Sequence, residues 1–421
     1  LTIATDRLKE LYAAGRFEEV WQAAHDELLA GTQDPWAYLL ATMSLLRLGR
    51  PDEFAEMIRA SGENAVLLCT WTLSNLLDDH AYGAIAAAGD AFAADDPASL
   101  IATYFAGCAE MMLGRHDSAM ARFKSFRLAW PRFLGRIDYI ADDRLNVMLR
   151  QGRLVADAAE VERRRGVAIS LPALDFIDAP APAPRIVFAA GNSHYFNKMG
   201  SEFVAGTLPA LGEALLHLHV IDPDAESLAL IESLRAAHPG HLAFSLEKEP
   251  LFRTYTYYSC SRFYAMTGLL DRYRAPILSL DIDIVPRKPG DLAPLFDRAE
   301  SFDFCCFRTD RNEPASVFQA SVMYWPDRPG TRAFLTDLQH FCWEELRNPS
   351  RTSWMLDQAA LFSVLSEPRT KARLRFGDFT TLAGSSLQDL VRITFGNEVK
   401  GELRHRVQLH EPTDIRPAGA P

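Results

Sequence analysis

Two hydrophobic rhythms divide the chain near residue 165. Before it, apolar residues recur every three or four positions, as in "LYAAGRFEEVWQAAHDEL" and "MMLGRHDSAMARFKSF". That spacing predicts amphipathic helices throughout. From Arg185 onward, short apolar runs ("RIVFAA", "LLHLHVID", "LAFSLEK", "APILSL") alternate with helix-length stretches such as "FVAGTLPALGEAL" and "AESLALIESLRAAH". Strands alternating with helices of this length predict a mostly parallel sheet covered on both faces. Between the rhythms lies "RRRGVAISLPALDFIDAPAPAPR", whose Ala179–Pro184 run suits neither helix nor central strand and reads as a stiff polyproline-like linker. The expected organisation is a helical domain over 1–165, a Pro-rich linker over 166–184 and an α/β domain over 185–421.

The helical half carries a loose internal repeat of a turn, a polar pair and an amphipathic helix. Gly15 and Gly49 stand 34 residues apart, Asp79 occupies the equivalent turn 30 residues on, and Gly114 follows 35 later. A period near 34 with glycine in the turn resembles tetratricopeptide repeats, although many of the consensus aromatic and proline positions are not filled. The resemblance implies an α-solenoid that holds a peptide or protein in its concave face. A helical scaffold that only pads or dimerises the second half is the plainer alternative.

Composition narrows the function classes. With 421 residues the chain is too long for one ordinary core. Hydrophobic residues make up 48% and charged ones 24%, which describes a globular protein rather than a disordered one. A net charge of −11 argues against general nucleic-acid or anionic-membrane binding. No apolar run approaches the ~18 residues of a membrane span. The six cysteines form no CxxC pair, so they read as reduced core thiols and the expected location is cytoplasmic.

The candidate chemistry centres on "ILSLDIDIVPRK", Ile277 to Lys288. Period-two geometry puts Asp281 and Asp283 on one side of the chain, with Ile282 turned toward the apolar body. Both sit at a strand end, where ligands bind in open α/β sheets near a switch in strand order, as does the Gly191–Ser193 turn. Two neighbouring carboxylates need a neutraliser. A divalent cation completing its shell with waters and phosphates, an arginine, or water alone each fits.

The blocks "IVFAAGNSHY", "LHVIDPD", "YYSCSRFYAMTGLLDRYRAPILSLDIDIVPRKPGDLAPLF", "FQASVMYW" and "WMLDQAALF" resemble, in order and spacing, the retaining GT-A glycosyltransferases that include glycogenin and bacterial lipopolysaccharide galactosyltransferases. The resemblance covers roughly residues 185 to 365. It implies a Rossmann-like GT-A domain using a nucleoside-diphosphate sugar, expected to be UDP-linked, with Mn²⁺ or Mg²⁺ on Asp281 and Asp283 and with Ile282 near the ribose. It implies that Ala189, Ala190, Gly191 and Ser193 line the nucleotide, that Arg262 contacts the donor, and that Gln319 and Ala320 lie near the sugar. Asp357 and Gln358 fall where the family keeps its catalytic Asp-Gln pair, and Lys400 where a lysine meets the diphosphate.

Three departures stand out. Gly191 replaces an acidic residue, and Gln319 replaces an asparagine. "ITFGNEVKGE" keeps Phe395, Gly396 and Lys400 but lacks the family's metal-binding histidine, whose place is assigned to His410, with His405 as the alternative.

The chemistry agrees with these roles. Cleaving a sugar–diphosphate bond leaves a highly charged group that a cation stabilises, an arginine adds planar donors for phosphate oxygens, and an oxocarbenium-like centre favours a facing carboxylate or amide oxygen. The leading expectation is a metal-dependent glycosyltransferase whose helical repeats hold a protein acceptor. A transferase-like scaffold without turnover, and a transferase acting on lipid-linked or polysaccharide acceptors, are the alternatives. A sugar-nucleotide pyrophosphorylase fits poorly, because "AAGNSHYFNKMG" lacks a Gly-rich basic loop. His217 and His219 are expected on a strand's polar face, Arg163–Arg165 on a solvated helix end, and Thr254–Tyr258 either at the acceptor side or in packing.

Overall fold

Four helix ends of one kind organise the first unit. Gly15, Gly49, His80 and Gly114 adopt left-handed φ angles of 73°, 71°, 57° and 74°. In each, that residue's N–H donates to the carbonyl three residues back and the next residue's N–H to the carbonyl five back, as Gly49 does to Leu46 and Arg50 to Leu45. This double closure satisfies carbonyls that a helix end leaves unpaired, and it favours glycine because a Cβ is strained there. The turns join α1 (Thr2–Ala13) to α2 (Phe17–Leu29), α3 (Pro35–Arg47) to α4 (Pro51–Ala60), α5 (Ala65–Asp78) to α6 (Tyr82–Ala91), and α7 (Pro97–Met112) to α8 (His116–Ala129). They recur at 34, 31 and 34 residues. In the third turn the left-handed residue is His80 rather than Asp79, whose carboxylate instead takes the Arg47 guanidinium at 3.2 Å.

Successive hairpins stack through their first helices, α1 on α3, α3 on α5 and α5 on α7. Small residues permit close approach between α6 and α7. A Cβ added to Gly89 would lie 2.4 Å from the Ala106 Cβ.

The computed structural model describes residues 2–29, 34–92, 96–132, 149, 152–177, 183–309, 313–348 and 355–393. The chain separates into two units, Leu1–Glu160 with Asp310–Val317, and Val161–Thr309 with Phe318–Pro421.

The second unit is built on an eight-stranded sheet. Its strands are β1 (Asp175–Ile177), β2 (Ile186–Asn192), β3 (Leu215–Ile221), β4 (Leu242–Glu247), β5 (Ile277–Asp281), β7 (Phe304–Arg308), β8 (Phe318–Trp325) and β9 (Phe376–Asp378). The order is β1-β4-β3-β2-β5-β8-β7-β9. β4, β3, β2 and β5 run parallel, while β8 lies antiparallel to both β5 and β7. A separate ribbon pairs β6 (Ile284–Pro286) with β10 (Val391–Ile393). β1 comes from the stretch expected to be linker, and it pairs antiparallel with β4. Most of the Ala-Pro run itself lies outside the described residues.

The two sheet faces differ in chemistry. Val187, Ala189, Leu216, Leu218, Val220, Phe244, Leu246, Leu278 and Leu280 join one continuous apolar core with the helices Ser193–Thr207, Ala225–Ala237 and Ala293–Ala299. Alternation sends the intervening Phe188, Ala190, His217, His219, Ser245, Ser279 and Asp281 to the opposite face. There the helix Tyr255–Tyr273 packs against β2 and the helix Leu356–Ser366 against β8.

The basic run Arg163–Arg165 is not a solvated helix end. Arg164 is 1% exposed, donates to Glu345 at 2.6 Å and to the Phe341 carbonyl at 3.1 Å, and stacks over the Phe341 ring. Arg165 reaches Asp337 and Glu367, both at 2.9 Å. The acidic partners lie some 170 to 200 residues away, so local sequence gave no sign of them. Removing one partner of a buried ion pair leaves the other charge unpaired, which costs about 3–5 kcal/mol. Arg164→Ala should therefore lower unfolding free energy by about that amount in urea titrations. Arg163→Ala, which loses a more exposed pair with Glu344, should cost less than about 1 kcal/mol. Equal losses would contradict this account.

Candidate functional site

Strand order reverses beside β2. From it the chain proceeds to β3 and β4 on one side, then crosses to begin β5 on the other. The carboxyl ends of β2 and β5 therefore border the crevice where open α/β sheets bind ligands. In the sheet register Ala190 lies opposite Asp281. β5 ends at Asp281, and Ile282 and Asp283 form a two-residue turn into β6. The expected strand alternation therefore stops at Asp281 and does not fix where Asp283 points. Ile282 nonetheless turns inward and is buried in the apolar core.

Arg262 gathers the site. It rises from the helix Tyr255–Tyr273, whose N-cap Thr254 accepts from the Tyr257 N–H. Its Nε donates to its own helix at Ser259 O (3.0 Å), and its Nη1 donates to Ala320 O on β8 (2.7 Å). The same Nη1 is ion-paired with Oδ1 of Asp281, and Nη2 lies 3.9 Å from Asp357. Burial alone would lower the Arg262 pKa, but Asp281 and then Asp357 outweigh it and raise it, so the guanidinium stays charged. The neutraliser of Asp281 in the fold is thus an arginine. Asp271 is taken by Arg332 at 2.8 Å.

Asp357 opens the helix Leu356–Ser366, after Met355 at a left-handed φ of 69°. Burial first, and the Asp281 charge after it, push the Asp357 carboxyl up to about 6, against the opposing pull of Arg262 and the Gln358 N–H. Oδ1 accepts from that N–H at 2.9 Å. The neighbouring Gln358 keeps its Oε1 buried with no hydrogen-bond partner among the described residues. An amide oxygen left in this way can accept from a ligand hydroxyl.

The remaining expected residues divide by position. Ala190 and Ser193 are half-buried at the end of β2 and the start of the following helix, which Asn192 caps by accepting from the Tyr195 N–H at 3.1 Å. Ala189 is wholly buried in the apolar core, because alternation turns it away from Asp281. The Ile282 side chain occupies the same core rather than the rim. Gly191 lets Ile282 close in: a Cβ there would meet Ile282 Cδ1 at 3.3 Å, so an acidic residue at 191 requires Ile282 to give way slightly. Gln319 is half-buried on β8, opposite Phe307. Ala320 contributes through its carbonyl. Lys400, His405 and His410 lie outside the described residues.

Among the described residues no group of three His, Cys, Asp or Glu side chains could hold a metal ion. Asp281 and Asp357 face the Arg262 guanidinium, and Asp283 follows Asp281 two residues on, in the turn. The charge balance is negative, so an anionic ligand needs an accompanying cation, and oxygen donors of this kind suit a hard divalent ion. In that sense the donor set fits such an ion, with other ligands coming from bound oxygens.

Some participants carry no sequence signal. The Ala320 and Ser259 carbonyls are backbone groups and invisible in side-chain patterns. Tyr195 and Tyr255, whose hydroxyls meet at 3.0 Å, come from segments 60 residues apart. Only the Tyr-rich "TYTYY" hinted at the second.

No protein-family model matches the chain, and no curated protein matches it significantly. Solved structures similar to parts of it include the galactosyltransferase LgtC in complex with donor and acceptor sugar analogues, at 17% identity over 46% of this chain and 73% of that one, with a TM-score of 0.32. The glycosyltransferase GlyE of Streptococcus pneumoniae is similar at 16% identity over 55% and 61%, TM-score 0.35. A mannosyltransferase of Pyrobaculum calidifontis, in complex with GDP-Man and Mn²⁺, is similar at 12% identity over 61% and 88%, TM-score 0.25. Likenesses this distant leave the functional reading to the chain's own geometry.

The raised Asp357 pKa has a consequence for stability. A carboxyl whose folded pKa exceeds its unfolded value stabilises the fold fully below the unfolded value, near 3.8, and that contribution is lost as pH rises through about 6. Asp357→Asn, neutral at every pH, should be the more stable form at pH 7–8 by up to about 3 kcal/mol. The advantage should shrink toward zero below pH 4, as measured by chemical denaturation across pH. A difference independent of pH would show that Asp357 is not held in this way.

Proposed function

We propose that the chain is a glycosyltransferase that moves a sugar from a nucleoside-diphosphate sugar to an acceptor with the help of a divalent cation. The carrying observation is the cluster at the strand-order switch. Arg262 binds Asp281 and the Ala320 carbonyl and sits beside Asp357, and Asp281 lies opposite Ala190, three residues before the capped helix Ser193–Thr207. Backbone N–H groups at a helix start favour anions, whereas the Asp281 and Asp357 carboxylates repel them. Only an anion accompanied by a cation satisfies both, and a metal-bound diphosphate has that character.

In this reading Asp281 and Asp283 hold Mn²⁺ or Mg²⁺, and His410 is the candidate third ligand. The cation supplies charge neutralisation of the departing diphosphate. Arg262 keeps Asp281 oriented and adds a fixed positive charge beside the phosphates. Ala190, Gly191 and Ser193 border the nucleotide, Gln319 and Ala320 the sugar. Asp357 or the unpaired Gln358 Oε1 faces the electron-poor anomeric carbon, which stabilises positive charge there. Retention of configuration, the tetratricopeptide-like character of the helical unit, and its use in holding a protein acceptor belong to the same proposal. They draw on the family resemblance and on the 31-to-34-residue hairpin period.

One observation favours a second reading, a binding protein without turnover: Arg262 already neutralises Asp281 without a metal. One experiment separates the two. Incubated with a panel of nucleotide sugars and Mn²⁺, the wild type should release nucleoside diphosphate, and Asp281→Asn should lose about 10²-fold or more of that rate. Metal-dependent nucleotide binding without release would favour the second reading, and no binding with any nucleotide and metal would sink both. With a radiolabelled donor and a cell extract, the label should enter polypeptide. Label confined to lipid or polysaccharide would remove the protein acceptor.

A further inference from the structure

The polar face of the sheet carries a continuous buried chain of hydrogen bonds that touches none of the residues proposed to bind the donor. It begins at the hydroxyl of Tyr273, 2.7 Å from Nδ1 of His217. Nε2 of His217 lies 2.8 Å from Oγ of Ser245, which lies 2.9 Å from Nδ1 of His219. Nε2 of His219 lies 3.3 Å from Oε2 of Glu247. The other Glu247 oxygen accepts from the Tyr257 hydroxyl at 2.5 Å and from the Leu251 N–H at 3.2 Å. His217, His219, Ser245, Glu247 and Tyr257 are each at most 1% exposed.

With Glu247 as the terminal acceptor, every link can donate in one direction toward it, each imidazole giving one proton and accepting one. Burial first, with the Arg272 guanidinium nearby, keeps His217 neutral, in line with that pattern. Unidirectional chains of this kind polarise their members and hold them rigidly.

The two tyrosines lie at opposite ends of one helix. Tyr257 sits in the first turn and Tyr273 is the last residue of the helix Tyr255–Tyr273, about 24 Å away at 1.5 Å per residue. The chain therefore ties both ends of that helix to β3 and β4. Arg262, five residues after Tyr257, projects from the same rigid rod to reach β5 and β8. We infer that Glu247 is a positioning residue: through Tyr257 and Tyr273 it fixes the helix along its axis, and thereby seats the Arg262 guanidinium between Asp281 and the Ala320 carbonyl. The consequence for donor binding rests on the proposed function, whereas the seating of Arg262 does not.

Tyr264 provides an internal control. It belongs to the same helix, is equally buried, and its hydroxyl donates to Gln339 O at 2.9 Å outside the chain. Crystal structures of Tyr257→Phe, Tyr264→Phe and Glu247→Gln in the full chain test the proposal. In Tyr257→Phe the Arg262 contact to Ala320 should lengthen beyond hydrogen-bond distance. Tyr264→Phe should keep it, as should Glu247→Gln, which retains a carbonyl for Tyr257 and Leu251. Should Tyr257→Phe not fold, Tyr273→Phe, at the less buried end, carries the same test. Affinity for nucleoside diphosphates with Mn²⁺, measured by calorimetry, should fall about tenfold or more in Tyr257→Phe and remain within twofold in Tyr264→Phe, because misplacement by about 1 Å is costly at such sites. Arg262 unmoved in Tyr257→Phe, or equal affinity losses in the two phenylalanine variants, would overturn the inference. If Arg262 moves but the wild type binds no nucleotide, the positioning role stands and the donor-site reading falls.

Discussion

The second unit depends on the contacts of one largely buried cation, Arg262. A guanidinium out of water costs several kcal/mol unless ion pairs and hydrogen bonds replace its hydration. Arg262 has replacements on four separate elements: its own helix at Ser259, β5 at Asp281, β8 at Ala320 and the helix Leu356–Ser366 at Asp357. Those elements must stand in register for the charge to be satisfied at all. The antiparallel insertion of β8 beside β5 is what brings a carbonyl within reach of the Arg262 fork. The same requirement gathers the carboxylates of Asp281 on β5 and Asp357 on the helix Leu356–Ser366 around one positive charge and leaves a negative balance there.

The sheet itself divides the labour. One face is a continuous hydrocarbon core that supplies cohesion without direction. The other carries imidazoles, hydroxyls and carboxylates whose interactions are directional and short-ranged, so small displacements there are costly. The proposed site residues Asp281 and Arg262 lie on that second face, where orientation can be specified. The buried Arg164 and Arg165 pairs add long-range ties within the same unit, joining the helix Ala158–Arg165 to Glu345, Asp337 and Glu367.

Much of this was legible in the sequence. Alternating short apolar runs and amphipathic stretches marked β2 to β5 and the helices between them, since period-two and period-3.6 burial leave different traces. Gly15, Gly49 and Gly114 announced their turns because few other residues tolerate left-handed φ. His80 escaped notice for lack of that signature. Asp281 was conspicuous as a charge at the end of an apolar strand. The Ile282 side chain turns into the apolar core, as strand alternation led one to expect, and Ala189 joins it there; a motif says which residues are near a site but not which way their side chains point.

The sequence by itself determined the kinds of element, the hairpin period and the place of the acidic strand end, all of which follow from local backbone preference and burial over a few residues. Only the tertiary structure decided what neutralises Asp281, why Asp357 holds its proton up to about 6, and how His217, Ser245, His219, Glu247 and the two tyrosines link into one chain. Those outcomes depend on groups dozens of residues apart being excluded together from water. Electrostatic and hydrogen-bond energies are set by that shared burial, and no local pattern encodes it.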